Sequence, residues 1–306
     1  MNARAAIKLV LEDGTEMFGR PFGAAGSVGG EVVFNTAMSG YVEALTDPSY
    51  RGQILVLTYP LVGSYGVPAP RARGSLDGPY ESGRVQVQGL VVQSYVDKYS
   101  HHAATRSLGA WLEAEGVPGI TGIDTRTLTR RLREHGTMKG WLVTAKDAAA
   151  RARNAAETVD MKEVFRLVAP ENVIRYEGDG PLNVLLVDAG AKDNIVRSLL
   201  KRGATGGDTY KLPYGHRGVN QPVQDLLTRR CYITSQNHGF AVKQEALPGD
   251  WEPWFVNVND GTSEGIRART RPFFSVQFHP EASPGPEDTA FLFDDFMRLI
   301  GAMARG

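Results

Sequence analysis

At 306 residues the chain suits about two domains, and 42% hydrophobic residues are ample for packed cores. Lysine plus arginine equal aspartate plus glutamate at 34 each, so no surplus charge invites a nucleic acid or an anionic membrane. A single cysteine, Cys231, excludes an internal disulfide and any cysteine-based zinc cluster.

From the N-terminus, Ile7–Leu11 and Thr15–Phe18 flank Glu12-Asp13-Gly14, and Asp-Gly between two such runs predicts a hairpin. Lys8 interrupts the one candidate for a signal-peptide core here, and the longest apolar runs, such as Val184–Val187, are far too short to span a bilayer. The expected location is the cytoplasm. Glu31–Asn35 and Gln53–Thr58 read as strands, the second nearly continuous and so buried on both faces. Between them, Thr46-Asp47-Pro48-Ser49-Tyr50 has turn composition and sets a serine hydroxyl at a loop tip.

Gly63–Gly83 carries many Gly, Pro and Arg without periodicity and reads as a long surface excursion, after which Val85–Val92 resumes a strand pattern. His101-His102 lacks a third ligand at metal-site spacing and reads as solvated loop. Ser107 starts a helix with Leu108, Trp111 and Leu112 on one face, ended by Gly116 and Pro118. Asp124 caps another, with Leu128 and Leu132 one turn apart and Gly136 at its end. Its Arg126, Arg130, Arg131 and Arg133 form a solvated face or a partner surface.

Lys146–Gly180 reads as helical connecting material ending in a polar, Gly-rich joint. Asn183–Asp188 is then a buried-strand run, Gly190 allows a tight turn, and Asp193–Arg202 is a helix closed by Gly203. Strand, glycine turn and helix begin an open α/β sheet, yet no further β-α units follow. The chain passes instead to strands at Arg230–Thr234 and Trp254–Val258 and to an amphipathic helix at Asp288–Ala304, with Phe291, Phe293, Phe296 and Ile300.

The strongest chemical signal is Phe273–Glu281. Phe274, Val276 and Phe278 alternate with polar neighbours, the period of a half-buried strand, and His279-Pro280-Glu281 follows. Residues i and i+2 of extended chain point the same way, so imidazole and carboxylate can emerge together. Such a pair is either the back half of a nucleophilic triad or a surface turn whose His and Glu are chance neighbours.

Five separated motifs carry a family likeness: Thr46–Tyr50, Gly122-Ile123-Asp124-Thr125-Arg126, Gly215-His216-Arg217-Gly218, Gln236-Asn237-His238-Gly239-Phe240, and Gln277 through Pro286. Together they resemble the small, glutamine-hydrolysing subunit of carbamoyl phosphate synthase, over nearly residues 5 to 300. The resemblance implies an α/β protein with an N-terminal, mixed β-rich domain at 1–150 that docks on the large subunit. A linker at 151–182 and a class I glutamine amidotransferase domain at 183–306, a flavodoxin-like open α/β sheet, complete it. In this family a cysteine in a Gly-x-Cys-x-Gly elbow attacks glutamine, and ammonia passes to the large subunit, which makes carbamoyl phosphate from bicarbonate with ATP and magnesium. The implied assembly is a heterodimer serving arginine biosynthesis, pyrimidine biosynthesis or both, with no cofactor or metal in this chain. By the same likeness His279 is the catalytic base and Glu281 its orienting acid, while Ser49, Asn237, Gly239 and Phe240 contact glutamine.

The nucleophile has no counterpart. No Gly-x-Cys-x-Gly exists here, and the family pattern breaks at Arg202-Gly203-Ala204 to resume at Gly207-Asp208-Thr209-Tyr210-Lys211. The gap would hold about 60 residues by typical β-α unit sizes, making the amidotransferase domain a truncated one. Cys231 lies in an extended run, Arg230–Thr234, without the glycine a nucleophile elbow needs, and reads as a buried strand thiol. Losing a triad nucleophile costs about a million-fold in turnover, so negligible glutaminase activity is expected. Three readings stay open: a subunit with a deleted glutaminase half that still docks, a non-enzymatic glutamine-binding or regulatory subunit, or an incomplete sequence of an active subunit.

Overall fold

The computed structural model describes residues 7–72, 74–144, 164–172, 174–177, 182–183, 186, 190–202, 204–205, 217–237, 242, 244–247, 249–282 and 285–303. The chain divides into two compact units, Met1–Val168 and Ala169–Gly306. The division falls inside the 151–182 stretch read as a connector, of which 151–163, 173 and 178–181 lie outside the described residues.

The first unit is built on a closed seven-stranded barrel in the order β1-β2-β8-β6-β4-β3-β9. Its strands are β1 (Ile7–Leu11), β2 (Glu16–Gly23), β3 (Val28–Asn35), β4 (Gln53–Val62), β6 (Gly89–Tyr95), β8 (Pro118–Thr121) and β9 (Met138–Thr144). A two-stranded ribbon, β5 (Val67–Pro68) with β7 (Ala104–Arg106), stands beside it. The predicted hairpin is β1–β2, with Gly14 at φ 86° in the turn, where a side chain would be strained.

Strand β4 runs parallel to both β3 and β6, and Ile54–Leu57 are at most 4% exposed, as its continuous apolar run implied. Its alternation feeds two cores. Ile54 and Val56 join Ile7, Leu9, Val91 and Ile120 and the Leu128–Leu132 stripe of α3 (Thr125–His135). Leu55 and Leu57 join Leu45 of α1 (Tyr41–Thr46) and Trp111 of α2 (Leu108–Ala114). Each such side chain, fully buried, contributes roughly 2 kcal/mol. The caps read from sequence are present: Ser107 Oγ accepts from the Ala110 amide, and Asp124 accepts from the Thr127 amide and hydroxyl. Arg126, Arg130 and Arg133 are exposed, while Arg131 pairs with Asp13.

One expectation needs correction. The Gly63–Gly83 excursion is irregular apart from β5, but it is not confined to the surface: Val67, Tyr80 and Glu81 are buried. Tyr80 packs edge-on against Trp111, ring centres 6.0 Å apart, and its hydroxyl donates to the Pro68 carbonyl. Packing onto a helix thirty residues further along leaves no local periodicity to read. The unit ends in α4 (Val164–Val168).

The second unit holds one β-α-β step among its described residues. β10 (Leu182–Asn183) and β11 (Ala204–Thr205) pair in parallel on either side of α5 (Asp193–Leu200). Residues 184, 185, 187 and 188 of the predicted buried strand, and Gly203, lie outside the described residues. The larger sheet is antiparallel, in the order β13-β12-β14-β15-β16, formed by β12 (Arg217–Asp225), β13 (Cys231–Asn237), β14 (Trp251–Asn257), β15 (Ser263–Ala268) and β16 (Phe274–Val276). Phe255 packs edge-to-face on Phe278, centroids 5.2 Å apart, with Val223 and Leu292 in the same core.

Helix α6 (Phe291–Met303) lays Leu292 on this core and Phe293, Phe296 and Ile300 against Ile195 and Leu199 of α5. Arg202 ties the two helices together. Its Nε donates to Asp294 at 2.7 Å, its Nη2 donates to the Ala290 carbonyl, and its guanidinium lies 5.4 Å above the Phe293 ring.

Candidate functional site

Strand β16 delivers the site. Beyond it the Gln277 amide donates to the Glu264 carbonyl, and Phe278 is sunk in the core at 3% exposure. The His279 amide then donates to the Ser235 carbonyl at 2.8 Å, an isolated bridge to β13, so the outer edge of β13 meets the chain leaving β16. Ala282 follows at φ 25°, a left-handed conformation rare outside glycine, and its amide turns back to the His279 carbonyl. This bend sets Glu281 beneath His279.

The pair predicted from His279-Pro280-Glu281 is therefore formed: His279 Nδ1 lies 2.8 Å from Glu281 Oε1. The imidazole keeps partial access to solvent, with 22% of its side chain exposed, whereas the carboxylate is 1% exposed. Burial by itself pushes the Glu281 carboxyl up. The charges of His279 and Lys192, with hydrogen bonds from His279 and the Glu281 amide, outweigh burial and bring it down to about 2. Glu281 is thus an acceptor at neutral pH, which puts the hydrogen on Nδ1 and leaves Nε2 as the basic nitrogen. This is the orientation a general base needs, and a neighbouring thiol or water would be its partner.

Two members of the site escaped the sequence reading. Lys192 Nζ stands 3.5 Å from Glu281 Oε1, and Asn194 Nδ2 donates to the Glu281 backbone carbonyl. Both come from the start of α5. Lys192 occupies the N-cap position, where Ser, Thr, Asp or Asn is preferred and the helix dipole disfavours a cation. That anomaly was the available signal that an acid elsewhere holds it.

The other candidates are placed as follows. Ser49 belongs to the first unit, in a 3₁₀ turn at Pro48–Tyr50; its side chain is exposed, and its amide donates to Asp47 Oδ1 at 2.9 Å. Asn237 ends β13, its backbone paired with Arg217, while its side chain and Gly239 and Phe240 lie outside the described residues. Cys231 does lie in a strand, paired with Gln224, but it is exposed, and the expectation of a buried thiol is corrected. It opens β13, the first strand in the order of the sheet. Among the described residues no cluster of His, Cys, Asp or Glu could hold a metal ion. No described helix is long and apolar enough to cross a membrane.

Comparison with known proteins follows the same division. The profile of the carbamoyl-phosphate synthase small chain, CPSase domain, matches residues 9–142, and that of class-I glutamine amidotransferase matches 200–299. The carbamoyl phosphate synthase small chain of Symbiobacterium thermophilum is 41% identical, over 96% of this chain and 98% of that protein. The multifunctional protein pyrABCN of Emericella nidulans is 39% identical over 95% of this chain, which spans 17% of its length. A mouse protein, carbamoyl-phosphate synthase [ammonia], mitochondrial, is 38% identical over 95% of this chain, which spans 23% of its length. The chain belongs to the carbamoyl phosphate synthase small-chain family and carries a class-I glutamine amidotransferase domain.

Proposed function

We propose that this chain is a small subunit of carbamoyl phosphate synthase that docks on the large subunit but does not hydrolyse glutamine. The observation that carries this reading is the position of the sole cysteine. Cys231 sits in regular antiparallel pairing at the edge of a sheet, without the strained strand-to-helix turn that presents an elbow nucleophile. The His279–Glu281 pair then has a base and its orienting acid but no thiol to activate.

The lengths support a missing segment. The match to the Symbiobacterium small chain runs over 366 positions, 60 more than this chain has residues, so at least that many face a gap here. The mouse relative is named for ammonia, and an ammonia-fed role is the one that a subunit without a nucleophile leaves open. In this reading the large subunit handles ATP and magnesium, and the heterodimer works in the cytoplasm for arginine synthesis, pyrimidine synthesis or both. Ser49, Asn237, Gly239 and Phe240 are the proposed glutamine contacts.

The test is carbamoyl phosphate formation by this chain with a matching large subunit, supplied with glutamine and then with ammonium chloride. Product from ammonia and none from glutamine is expected. Glutamine-dependent product would overturn the reading. Calorimetric titration with glutamine then separates a subunit that retains the pocket from one that only docks.

A further inference from the structure

A cavity of about 430 Å³ in the second unit is lined by residues of β14, β15, the loop 271–273, β16 and α6. None of them belongs to the His279–Glu281 site. Its volume falls within the roughly 300–1,000 Å³ of small-molecule pockets.

Three of its four charged lining residues are cationic: Arg267, Arg271 and Arg298, against Asp295. Each guanidinium is fixed by a carboxylate through one nitrogen. Arg267 Nε bonds to Glu252 at 2.8 Å, Arg271 Nη2 to Asp250, and Arg298 Nη2 to Asp295. Glu252 is shared with Arg269 at 3.3 Å, so three acids serve four arginines. Glu252 and Asp250 stand outside the lining. They orient their arginines while leaving the remaining N–H groups for another acceptor, and a guanidinium has five.

The rest of the wall is aromatic. Trp254 meets Phe274 edge-to-face with centroids 5.1 Å apart, and Phe273 is 53% exposed with the Arg271 guanidinium 5.5 Å from its ring centre. The Trp254 indole N–H is buried and has no acceptor among the described residues.

We propose that this cavity binds a small aromatic anion, a planar ring bearing a carboxylate or a phosphate. The anionic head bonds to Arg267 and Arg298, as fork-shaped guanidinium groups favour, and the ring lies against Trp254, Phe273 and Phe274. A ring without the charge leaves the arginines unserved, and a free phosphate leaves the aromatic wall bare.

Isothermal titration of the full chain with naphthoate, naphthyl phosphate, uncharged naphthalenemethanol and inorganic phosphate tests this. Saturable binding of at least one ring anion is expected, about tenfold tighter than that of naphthalenemethanol or inorganic phosphate. Whichever ring anion binds better identifies the head group. Arg298→Ala removes a side chain that is 78% exposed, so folding is retained, and it weakens ring-anion binding about tenfold. Phe273→Ala weakens it through the ring. The proposal is overturned if neither ring anion saturates by about 1 mM, if naphthalenemethanol or inorganic phosphate binds equally well, or if Arg298→Ala changes affinity less than about twofold.

Discussion

Lys192 Nζ and Glu281 Oε1 lie 3.5 Å apart with their side chains 5% and 1% exposed, an ion pair that joins the first turn of α5 to the bend after β16. Glu281 Oε1 therefore meets two partners, the His279 imidazole at 2.8 Å and the Lys192 ammonium at 3.5 Å. Removing one partner of a buried pair strands the other, which costs more than the pair contributes. Lys192→Met should destabilise the second unit by about 3 kcal/mol and raise the Glu281 pKa. Urea denaturation and carboxyl chemical shifts measure the two effects.

Acid should act on the same residue. The Glu281 pKa is depressed from 4.5 to about 2, so the folded state favours the ionised form. The stability this contributes is fully present above the unfolded pKa near 4.5 and is lost as pH falls through the folded value near 2. Urea titrations across that window should show a steeper loss for the parent than for Glu281→Gln. Equal slopes would place the titrating carboxyl elsewhere.

Ala282 holds its left-handed φ without the freedom of glycine. Ala282→Gly should be near neutral in thermal unfolding, because relief of roughly 1 kcal/mol of strain offsets a lost buried methyl. Ala282→Val should lower stability by about 2 kcal/mol or more and disturb the His279–Glu281 contact, since a β-branched side chain tolerates this conformation least.

Cys231 opens an edge strand with its thiol exposed. It should react with a thiol reagent in the folded protein as readily as in the unfolded chain. Cys231→Ser should leave ammonia-supported carbamoyl phosphate formation unchanged. A large loss of glutamine-dependent product in Cys231→Ser would make this thiol a nucleophile after all.

In the first unit the Pro48–Tyr50 turn is held by Asp47, which accepts from the Ser49 amide, and by Tyr50, whose hydroxyl accepts from Asn35 Nδ2 at 3.0 Å. Asp47→Ala should cost about 1 kcal/mol in denaturant unfolding and loosen the loop that displays Ser49, seen as faster amide exchange there.

What the sequence determined by itself was whatever local chemistry encodes. Period-two alternation marked Phe274–Phe278, continuous apolar character marked β4 as buried on both faces, and Ser107 and Asp124 marked helix starts. His279 and Glu281 were legible because neighbours two apart in extended chain share a direction. Tertiary structure alone decided what depends on distant segments meeting. Lys192 reaches Glu281 across 89 positions of sequence, and Ser235 anchors the His279 backbone from another strand. Cys231 is exposed while Thr234 and Gln236 of the same strand are buried, a difference that strand propensity cannot report; neighbours, not periodicity, determine burial.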